Sequence, residues 1–313
     1  MTVAFTFPGQ GSQAVGMGKA LAETFFEAAS VFAAVDDALG EKLSTIIFEG
    51  PIETLTLTEN AQPALMAVSL ATLRVLEARG IRIRDKVAFV AGHSLGEYSA
   101  LAAASALSVA DAAKLLRIRG RAMQQAVPLS IGAMAALLGM ELDAARAVAA
   151  EAAEGEVCEA ANDNGGGQVV ISGHKAAVER ALEIAKAKGA KRAILLPVSA
   201  PFHCALMAPA AGVMEMALAA VDIQPPLVPL VANVTAAPTS DPAEIRRRLV
   251  EQVTGMVRWR ETMLFLVGHG VNTVYEVGAG RVLTGIARRF DGIEARSVGT
   301  PEELEAAAAA LAG

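Results

Sequence analysis

A single strand–turn–helix segment around Ser94 most strongly constrains the fold of this chain. A short apolar run, Val87–Ala91, leads into Gly-His-Ser-Leu-Gly at positions 92–96, and an alanine-rich run follows. In this context the serine of a Gly-x-Ser-x-Gly sequence acts as a nucleophile, at a sharp turn that Gly92 and Gly96 permit because they lack Cβ atoms. Ser94 would then lie at a helix N-terminus, where the helix dipole favours developing negative charge. The alternative is a serine in an ordinary strand–helix loop.

Alternating strand-like and helical runs predict an α/β fold with a mainly parallel sheet. Strands are predicted at Val3–Phe7, in the run before Ser94, and at 227–232, 273–277 and 295–298. Helices are predicted from Asn60 to about Arg79, over 95–104 and 109–126, and over Pro301–Leu311. With 313 residues, of which 53% are apolar, the chain can bury a sizeable core.

The middle of the chain has a different pattern. Strand, helix, strand, strand, helix and strand follow one another between 132 and 198, with the turn Asn162–Gly167 between the second and third strands. This β-α-β-β-α-β order is that of a ferredoxin-like unit. We therefore predict a larger α/β domain of residues 1–127 and 199–313 and an inserted subdomain of residues 128–198. A cleft between them is the expected place for a functional site.

Composition and charge narrow the classes of partner. The formal net charge of −6 argues against nucleic-acid and anionic-membrane binding. The longest alanine-rich run, 101–116, contains Asp111 and Lys114 and is too short to span a membrane. No signal-peptide pattern opens the sequence, so we expect a cytoplasmic protein. Cys158 and Cys204 form no C-x-x-C pair, and the four histidines lack metal-ligand spacing, so we expect reduced thiols and no metal site.

His203 is the candidate base for Ser94. It follows the last strand predicted for the insertion and opens a helical run, which puts it at the domain junction. A histidine there could accept the serine proton, although a structural histidine is the alternative. His93 is closer in sequence, but the residue before a nucleophile points away from the nucleophile's face. Because no acid occupies the usual hydrolase position between Ser94 and His203, a backbone carbonyl is a candidate to orient the histidine.

Two further features flank this pair. The loop Pro8–Gln13 follows the first predicted strand, and its spacing fits neither a dinucleotide-binding loop nor a P-loop. Its backbone N–H groups suit half of an oxyanion hole, with the N–H of Leu95 as the other half, although a plain β–α turn fits equally well. Arg117, Arg119 and Arg121 lie in one predicted helix. One of them could bind a carboxylate, and the sequence alone does not choose which.

Five sequence motifs, in order along the chain, carry a family resemblance. They are Phe-Pro-Gly-Gln-Gly-Ser-Gln (7–13), Gly-His-Ser-Leu-Gly-Glu-Tyr (92–98), Arg-Gly-x-x-Met-Gln (119–124), Phe-His-Cys-Ala-Leu-Met (202–207) and Tyr-Glu-Val-Gly-x-Gly-x-Val-Leu-Thr-Gly (275–285). Together they resemble the malonyl-CoA:acyl-carrier-protein transacylase family of bacterial fatty acid synthesis, over essentially the whole chain. The resemblance implies an α/β-hydrolase-like core with a parallel sheet and an inserted ferredoxin-like subdomain.

The resemblance also implies roles for the residues that match the motifs. Ser94 would be the acylated nucleophile and His203 its base. Arg119 would bind the malonyl carboxylate, and the backbone carbonyl of Gln252 would orient the histidine.

Five further residues are implied around this centre. The backbone N–H groups of Gln10 and Leu95 would form the oxyanion hole, and Gln62 and Asn162 would lie near the site. Phe202 resembles the malonyl type, because its bulky ring would crowd an α-methyl group.

The implied activity is transfer of a malonyl group from malonyl-CoA to the phosphopantetheine thiol of acyl carrier protein, through a malonyl-serine. No cofactor is implied, and we expect a monomer. One alternative is a serine thioesterase or esterase, in which water discharges the acyl-enzyme, and another is a non-catalytic binding module. An acidic carrier protein could dock on either of two basic stretches. These are Arg288–Arg289, and the group Lys186, Lys188, Lys191 and Arg192.

Overall fold

Two β-sheets and the helices around them form the fold, which the computed structural model describes over residues 2–128 and 130–312. Met1, Leu129 and Gly313, which the predicted domain ranges include, lie outside the described residues. The strands are β1 (Val3–Phe7), β2 (Phe89–Gly92), β3 (Gly132–Leu138), β4 (Cys158–Asp163), β5 (Gln168–His174), β6 (Arg192–Leu195), β7 (Leu230–Val231), β8 (Pro238–Thr239), β9 (Thr273–Val277) and β10 (Glu294–Val298).

Fifteen α-helices are assigned within the described residues. They are α1 (Lys19–Thr24), α2 (Phe26–Leu39), α3 (Leu43–Glu49), α4 (Ile52–Thr56), α5 (Thr58–Ala78), α6 (Ile83–Lys86), α7 (Gly96–Ala103), α8 (Val109–Gln125), α9 (Leu142–Ala153), α10 (Lys175–Ala187), α11 (Ala208–Ala219), α12 (Pro242–Thr254), α13 (Trp259–Gly268), α14 (Val282–Ala287) and α15 (Pro301–Ala312). A short 3₁₀ turn covers Ala205–Met207. In the part of the chain that the structure describes, no helix has both the length and the apolar character needed to cross a membrane.

The larger sheet has six strands in the spatial order β10-β9-β1-β2-β7-β8. Its neighbouring strands are parallel except β7 and β8, which are antiparallel. β1 lies inside the sheet with all of its residues buried, as expected for a strand covered on both faces. Because the register pairs Phe7 with Gly92, the loops after β1 and β2 emerge side by side at the carboxyl edge of the sheet. In open parallel sheets this edge is where ligands bind.

The smaller sheet has four strands in the order β4-β5-β3-β6, and its neighbouring strands are antiparallel. Helices α9 and α10 pack against each other and against these strands. The apolar side chains between them, including Leu137, Val148, Ile171 and Val178, are buried. A mixed α/β fold with a parallel sheet and a separate antiparallel sheet is thus confirmed.

Side-chain contacts near the end of β4 hold the smaller sheet against the segment that carries Ser94. Asn164 Oδ1 lies 3.0 Å from His93 Nε2, and Arg260 Nε donates to Asp163 Oδ2 at 2.7 Å. A register shift in β4 falls just before Asn162. These contacts bring the smaller sheet to the same edge of the larger sheet as Ser94.

Two predicted strands are shorter in the structure than their sequence patterns suggested. The strand predicted over 227–232 contains only Leu230–Val231, and the last strand of the smaller sheet ends at Leu195 rather than at Val198. Proline lacks the N–H group that a strand donates to its neighbour. Pro225 and Pro226 precede the first of these segments, Pro229 lies within it, and Pro197 interrupts the second.

Candidate active site

The turn that carries Ser94 depends on two glycines. Ser94 has a φ of 55°, a left-handed conformation that costs a serine free energy unless surrounding contacts hold it. A Cβ on Gly92 would lie 1.9 Å from the backbone of Gly96, and one on Gly96 would lie 2.2 Å from the carbonyl oxygen of Phe7. Only glycine therefore allows β1, β2 and α7 to approach one another this closely.

Asn233, which follows β7, stabilises the same turn through two hydrogen bonds. Its Oδ1 accepts a hydrogen bond from the backbone N–H of Ser94 at 2.8 Å. Its Nδ2 donates to the carbonyl oxygen of Gly92 at 2.7 Å. The fully buried side chain of Asn233 thus spans the turn on both sides of His93.

The hydroxyl of Ser94 is paired with the imidazole of His203. Ser94 Oγ lies 2.7 Å from His203 Nε2. On the other side of the ring, Nδ1 lies 2.8 Å from the carbonyl oxygen of Gln252 and 3.1 Å from that of Gly255. Both carbonyls are acceptors only, so the proton belongs on Nδ1 and Nε2 keeps a lone pair for the serine proton.

The imidazole of His203 is uncharged in the resting site and can act as a base. Burial, together with the nearby positive charge of Arg119, lowers the pKa of His203 to about 3. Because burial penalises the charged imidazolium, the ring is neutral in the resting site at ordinary pH. An uncharged ring can accept the Ser94 proton as soon as an electrophile arrives.

Of the three arginines on α8, Arg119 points into this site. Its side chain is 1% exposed, and its Nη1 donates to Gln62 Oε1 at 2.8 Å. Its Nη2 donates to Ser94 Oγ at 3.1 Å and to Gln252 Oε1 at 2.8 Å. The guanidinium carbon lies 5.7 Å from the centre of the Tyr98 ring.

The two neighbouring arginines point elsewhere. Arg117 donates to Asn60 and to Glu41, whereas Arg121 is exposed and donates to Glu59 at 2.6 Å. Burial lowers the pKa of Arg119, but a guanidinium stays protonated in proteins. The site therefore contains a buried positive charge beside the serine hydroxyl.

The side chain of Gln252 links the arginine to the nucleophile. Its Nε2 donates to the carbonyl oxygen of Ser94 at 2.9 Å and to Glu97 Oε2 at 2.5 Å. Glu97 is completely buried on α7, and burial raises the pKa of its carboxyl group to about 7. The backbone carbonyl oxygen of Gln252 therefore contacts His203, and its side-chain amide contacts Arg119, Ser94 and Glu97.

A cavity of about 440 Å³ opens above Ser94. All nine residues predicted for the site except Gln252 line it: Gln10, Gln62, Ser94, Leu95, Arg119, Asn162, Phe202 and His203. Gln252 is fully buried and contacts two of the lining residues, Arg119 and Ser94. The sequence therefore predicted a set of residues that the fold does bring together.

Four of these residues present unused hydrogen-bonding groups, one of which is the buried Nε of Arg119. Within the described ranges, the backbone N–H groups of Gln10 and Leu95 donate to no protein acceptor. The buried Oδ1 of Asn162 likewise has no hydrogen-bond partner. Unpaired buried polar groups are costly, and these could be satisfied by a bound ligand.

The sequence analysis missed Glu97, Tyr98, Asn233 and the carbonyl of Gly255. Asn233 had a detectable signal, because a polar residue directly after a predicted strand lies at the carboxyl edge of a parallel sheet. Glu97 and Tyr98 had one as well, because both belong to the motif at 92–98 that carries Ser94. The carbonyl of Gly255 had none, since packing between distant segments brings it to His203.

Neither cysteine lines the cavity above Ser94. Both are buried free thiols, and burial raises the pKa of each to about 11. Cys204 Sγ donates to the carbonyl oxygen of Pro201 at 3.1 Å. A thiol with a raised pKa is a poor nucleophile. Over residues 2–128 and 130–312, no group of three or more His, Cys, Asp or Glu side chains is arranged to hold a metal ion.

Comparison with known proteins gives the family. Residues 4–300 match the family described as an acyl transferase domain. The chain is 47% identical over 307 residues to the malonyl CoA-acyl carrier protein transacylase of Bacillus subtilis strain 168, covering 97% of this chain and 96% of that protein. It is 45% identical over 305 residues to the protein of the same name from Escherichia coli K12, covering 97% and 98%. The chain belongs to the malonyl CoA-acyl carrier protein transacylase family.

Solved structures of this family have the same fold. An acyl-carrier-protein S-malonyltransferase from Bartonella henselae is 60% identical, with a TM-score of 0.98 and full coverage of both chains. A type II PKS acyl-carrier protein in holo complex with its malonyl-transacylase, PlMCAT:AntF, contains a chain 41% identical to this one. That chain has a TM-score of 0.96, with 99% of this chain and 100% of that chain covered.

Proposed function

We propose that this chain is a malonyl-CoA:acyl-carrier-protein S-malonyltransferase that supplies fatty acid synthesis. The observation that carries the proposal is a buried guanidinium, Arg119, whose Nη2 lies 3.1 Å from the hydroxyl of the Ser94–His203 pair. An acyl group attached to Ser94 and ending in a carboxylate would lie beside that cation. The names of the relatives support the same activity, with malonyl-CoA as donor and acyl carrier protein as acceptor.

The first half of the reaction acylates the serine. His203 Nε2 takes the proton of Ser94 Oγ while Oγ attacks the thioester carbonyl of malonyl-CoA. The backbone N–H groups of Gln10 and Leu95 stabilise the resulting oxyanion, where one such donor contributes about 10²–10³ in rate. The C–S bond then breaks, and the CoA thiolate takes the proton from His203.

The second half regenerates the serine. The phosphopantetheine thiol of the carrier protein gives its proton to His203, and its sulfur attacks the malonyl ester. When the ester C–O bond breaks, Ser94 Oγ recovers the proton from the imidazolium. The carbonyls of Gln252 and Gly255 hold the Nδ1 proton throughout, so the ring keeps one tautomer in both halves.

Arg119 would select the acyl group. A hydrogen bond to a charged group contributes about 1.5–3 kcal/mol, or about 10–150-fold in favour of malonyl over acetyl. Gln62 would hold the guanidinium from its other edge. Phe202 would limit space at the α-carbon, and Asn162 would offer its free Oδ1 to the substrate.

A second cavity of about 300 Å³ adjoins the first and shares Gln10, Thr56, Pro197 and Val198 with it. We infer that it forms the outer part of the path by which the thiol arm of either substrate reaches Ser94. The carrier protein would dock around its opening.

The two basic stretches predicted for docking differ in how free their charges are. Lys186 and Lys188 already pair with Glu183 and Glu151, and Arg289 donates to Gln168 at 3.0 Å. Within these two stretches, the exposed side chains with neither an ion pair nor a side-chain hydrogen bond to the described residues are Lys191, Arg192 and Arg288. These three are the better candidates for contact with an acidic carrier protein.

The finer architectural description is also a proposal. The strand order β4-β5-β3-β6 and the β-α-β-β-α-β sequence support a ferredoxin-like insertion over residues 128–198. The serine at a strand–helix turn of a parallel sheet supports a hydrolase-like core over 1–127 and 199–313. A cytoplasmic, monomeric enzyme that uses no cofactor stays a prediction.

Intact-mass analysis after brief incubation with malonyl-CoA tests the proposal. A malonyl adduct is expected on the wild type and not on Ser94→Ala, and holo acyl carrier protein should discharge it much faster than water. Arg119→Ala should acylate with malonyl about 10–150-fold more slowly while acetyl transfer changes little. An adduct on Ser94→Ala would refute the nucleophile, and equally fast discharge by water would indicate a hydrolase instead.

A further inference from the structure

The carboxyl group of Glu97 lies at the centre of the site, yet the transfer described above does not use it. The side chain is completely buried. Its Oε2 accepts from Gln252 Nε2 at 2.5 Å and from the backbone N–H of Asn233 at 3.4 Å. Its Oε1 has no hydrogen-bond partner. Burying a carboxyl group costs free energy, so its position next to the Gln252 amide calls for an explanation.

The amide of Gln252 can face its neighbours in only one way. Its Oε1 accepts from Arg119 Nη2, and its Nε2 donates to the Ser94 carbonyl oxygen and to Glu97. A guanidinium only donates hydrogen bonds and a carbonyl only accepts them, and the Glu97 carboxyl keeps an accepting oxygen whether or not it is protonated. Rotating the amide by half a turn would place its NH₂ group against Arg119 and its oxygen against two oxygens. The acceptors on the Nε2 side therefore decide which end of the amide Arg119 meets.

We propose that Glu97 is a positioning residue that fixes the side-chain amide of Gln252 and, through it, the guanidinium of Arg119 in the orientation that receives the acyl carboxylate. This inference rests on the proposed function, because it requires that Arg119 binds the malonyl carboxylate. It assigns Glu97 to substrate selection rather than to the movement of protons.

The contacts of Arg119 explain why this orientation matters for one substrate and not for another. Nη1 is held by Gln62, whereas Nη2 is shared between Gln252 and Ser94. Without a fixed amide oxygen, Nη2 keeps only the hydroxyl that must move during acylation. A malonyl group depends on the direction of the guanidinium fork, whereas an acetyl group has no carboxylate to present to it. The malonyl-to-acetyl ratio of acylation rates therefore reports the role of Glu97.

A pair of matched variants separates the acceptor oxygen from the rest of the side chain. Glu97→Gln keeps a side-chain oxygen that can accept from Gln252, and Glu97→Leu has a similar size but no acceptor. For each we would measure kcat/KM of acylation with malonyl-CoA and with acetyl-CoA, per site that forms an adduct. The malonyl-to-acetyl ratio should fall about 5–10-fold in Glu97→Leu, the effect of one lost hydrogen bond. It should stay within about 3-fold of wild type in Glu97→Gln.

The same variants in an Arg119→Ala background complete the test. There, Glu97→Leu should not change the ratio further, because the group it positions is gone. Should Glu97→Leu not fold, Glu97→Met takes its place, since its thioether is at most a weak acceptor.

Two results would overturn the inference. One is an equal loss of malonyl and acetyl acylation in Glu97→Leu, which would indicate a structural role alone. The other is a rise of the ratio in both Glu97 variants, which would mean that the carboxylate competes with the substrate for Arg119. If Arg119→Ala by itself leaves the ratio unchanged, the proposed role of Arg119 fails instead, and the inference fails with it.

Discussion

The low pKa of His203 predicts how acylation responds to acid. A base works only while it is unprotonated, so kcat/KM for acylation should fall below the pKa of the histidine in the free enzyme. An imidazole with the ordinary pKa of about 6.5 would be about 97% protonated at pH 5, which would slow acylation about 30-fold. With a pKa of about 3, His203 would be only about 1% protonated at that pH. Protonation of His203 should therefore leave acylation nearly unchanged between pH 7 and pH 5.

Single-turnover acylation by malonyl-CoA, read by intact mass between pH 4.5 and 8, measures this response. The half-reaction is preferred because it avoids titration of the acceptor thiol. Circular dichroism and the fluorescence of Trp259, the single tryptophan, would show over which range the fold is intact.

If the acylation rate does fall towards low pH, which we call the acid limb, two variants identify the group whose protonation causes it. Since the charge of Arg119 helps to lower the pKa of His203, Arg119→Ala should move the limb to higher pH. Burial raises the pKa of Glu97 to about 7, so a limb near pH 7 that is absent from Glu97→Gln belongs to Glu97. A limb at pH 6–6.5 that persists in Glu97→Gln, with the fold intact, would refute the account of His203 as a buried neutral base.

Two predictions concern the turn that carries Ser94. Gly92→Ala should destabilise the protein by at least about 3 kcal/mol in chemical denaturation, because its Cβ would lie 1.9 Å from the backbone of Gly96. Gly212→Ala on the exposed face of α11, where nothing lies within 4 Å of the added Cβ, is the control and should stabilise by about 0.5–1 kcal/mol. Asn233→Ala should slow acylation per active site about 10-fold with little change in KM, because the Ser94 N–H loses its acceptor. A lower active fraction with an unchanged rate per site would contradict that role.

Local sequence was sufficient for the parts of the site that local geometry determines. The spacing of Gly92 and Gly96 around Ser94 follows from backbone contacts within one turn and to one neighbouring strand, so the pattern alone predicted a strand–turn–helix segment. The alternating apolar runs likewise predicted a parallel sheet and a separate β-α-β-β-α-β unit. These features depend on residue types at fixed short spacings.

The family resemblance implied Arg119, but residue types alone did not choose among the arginines, and that choice required the tertiary structure. Arg117 and Arg119 are both buried, at 6% and 1% exposure, and they lie about 200° apart around α8. Each would serve equally well as a carboxylate ligand by residue type. Arg117 is occupied because Glu41 and Asn60 from the preceding helical region reach it, and no periodicity in α8 reports that contact.

The acceptor of the hydrogen bond from His203 Nδ1 cannot be predicted from residue types. Every residue has a backbone carbonyl, so no side-chain type can signal that Gln252 provides it. What the residues did reveal was the lack of an acid in the usual hydrolase position, which favoured a carbonyl in its place. The buried acid that the fold does supply, Glu97, contacts the amide of Gln252 rather than His203. A carboxylate hydrogen-bonded to the histidine would favour the imidazolium and raise its pKa, whereas neutral carbonyls leave the low pKa that burial and Arg119 impose. The same substitution of a carbonyl for an acid therefore explains both the missing sequence signal and the predicted resistance of acylation to low pH.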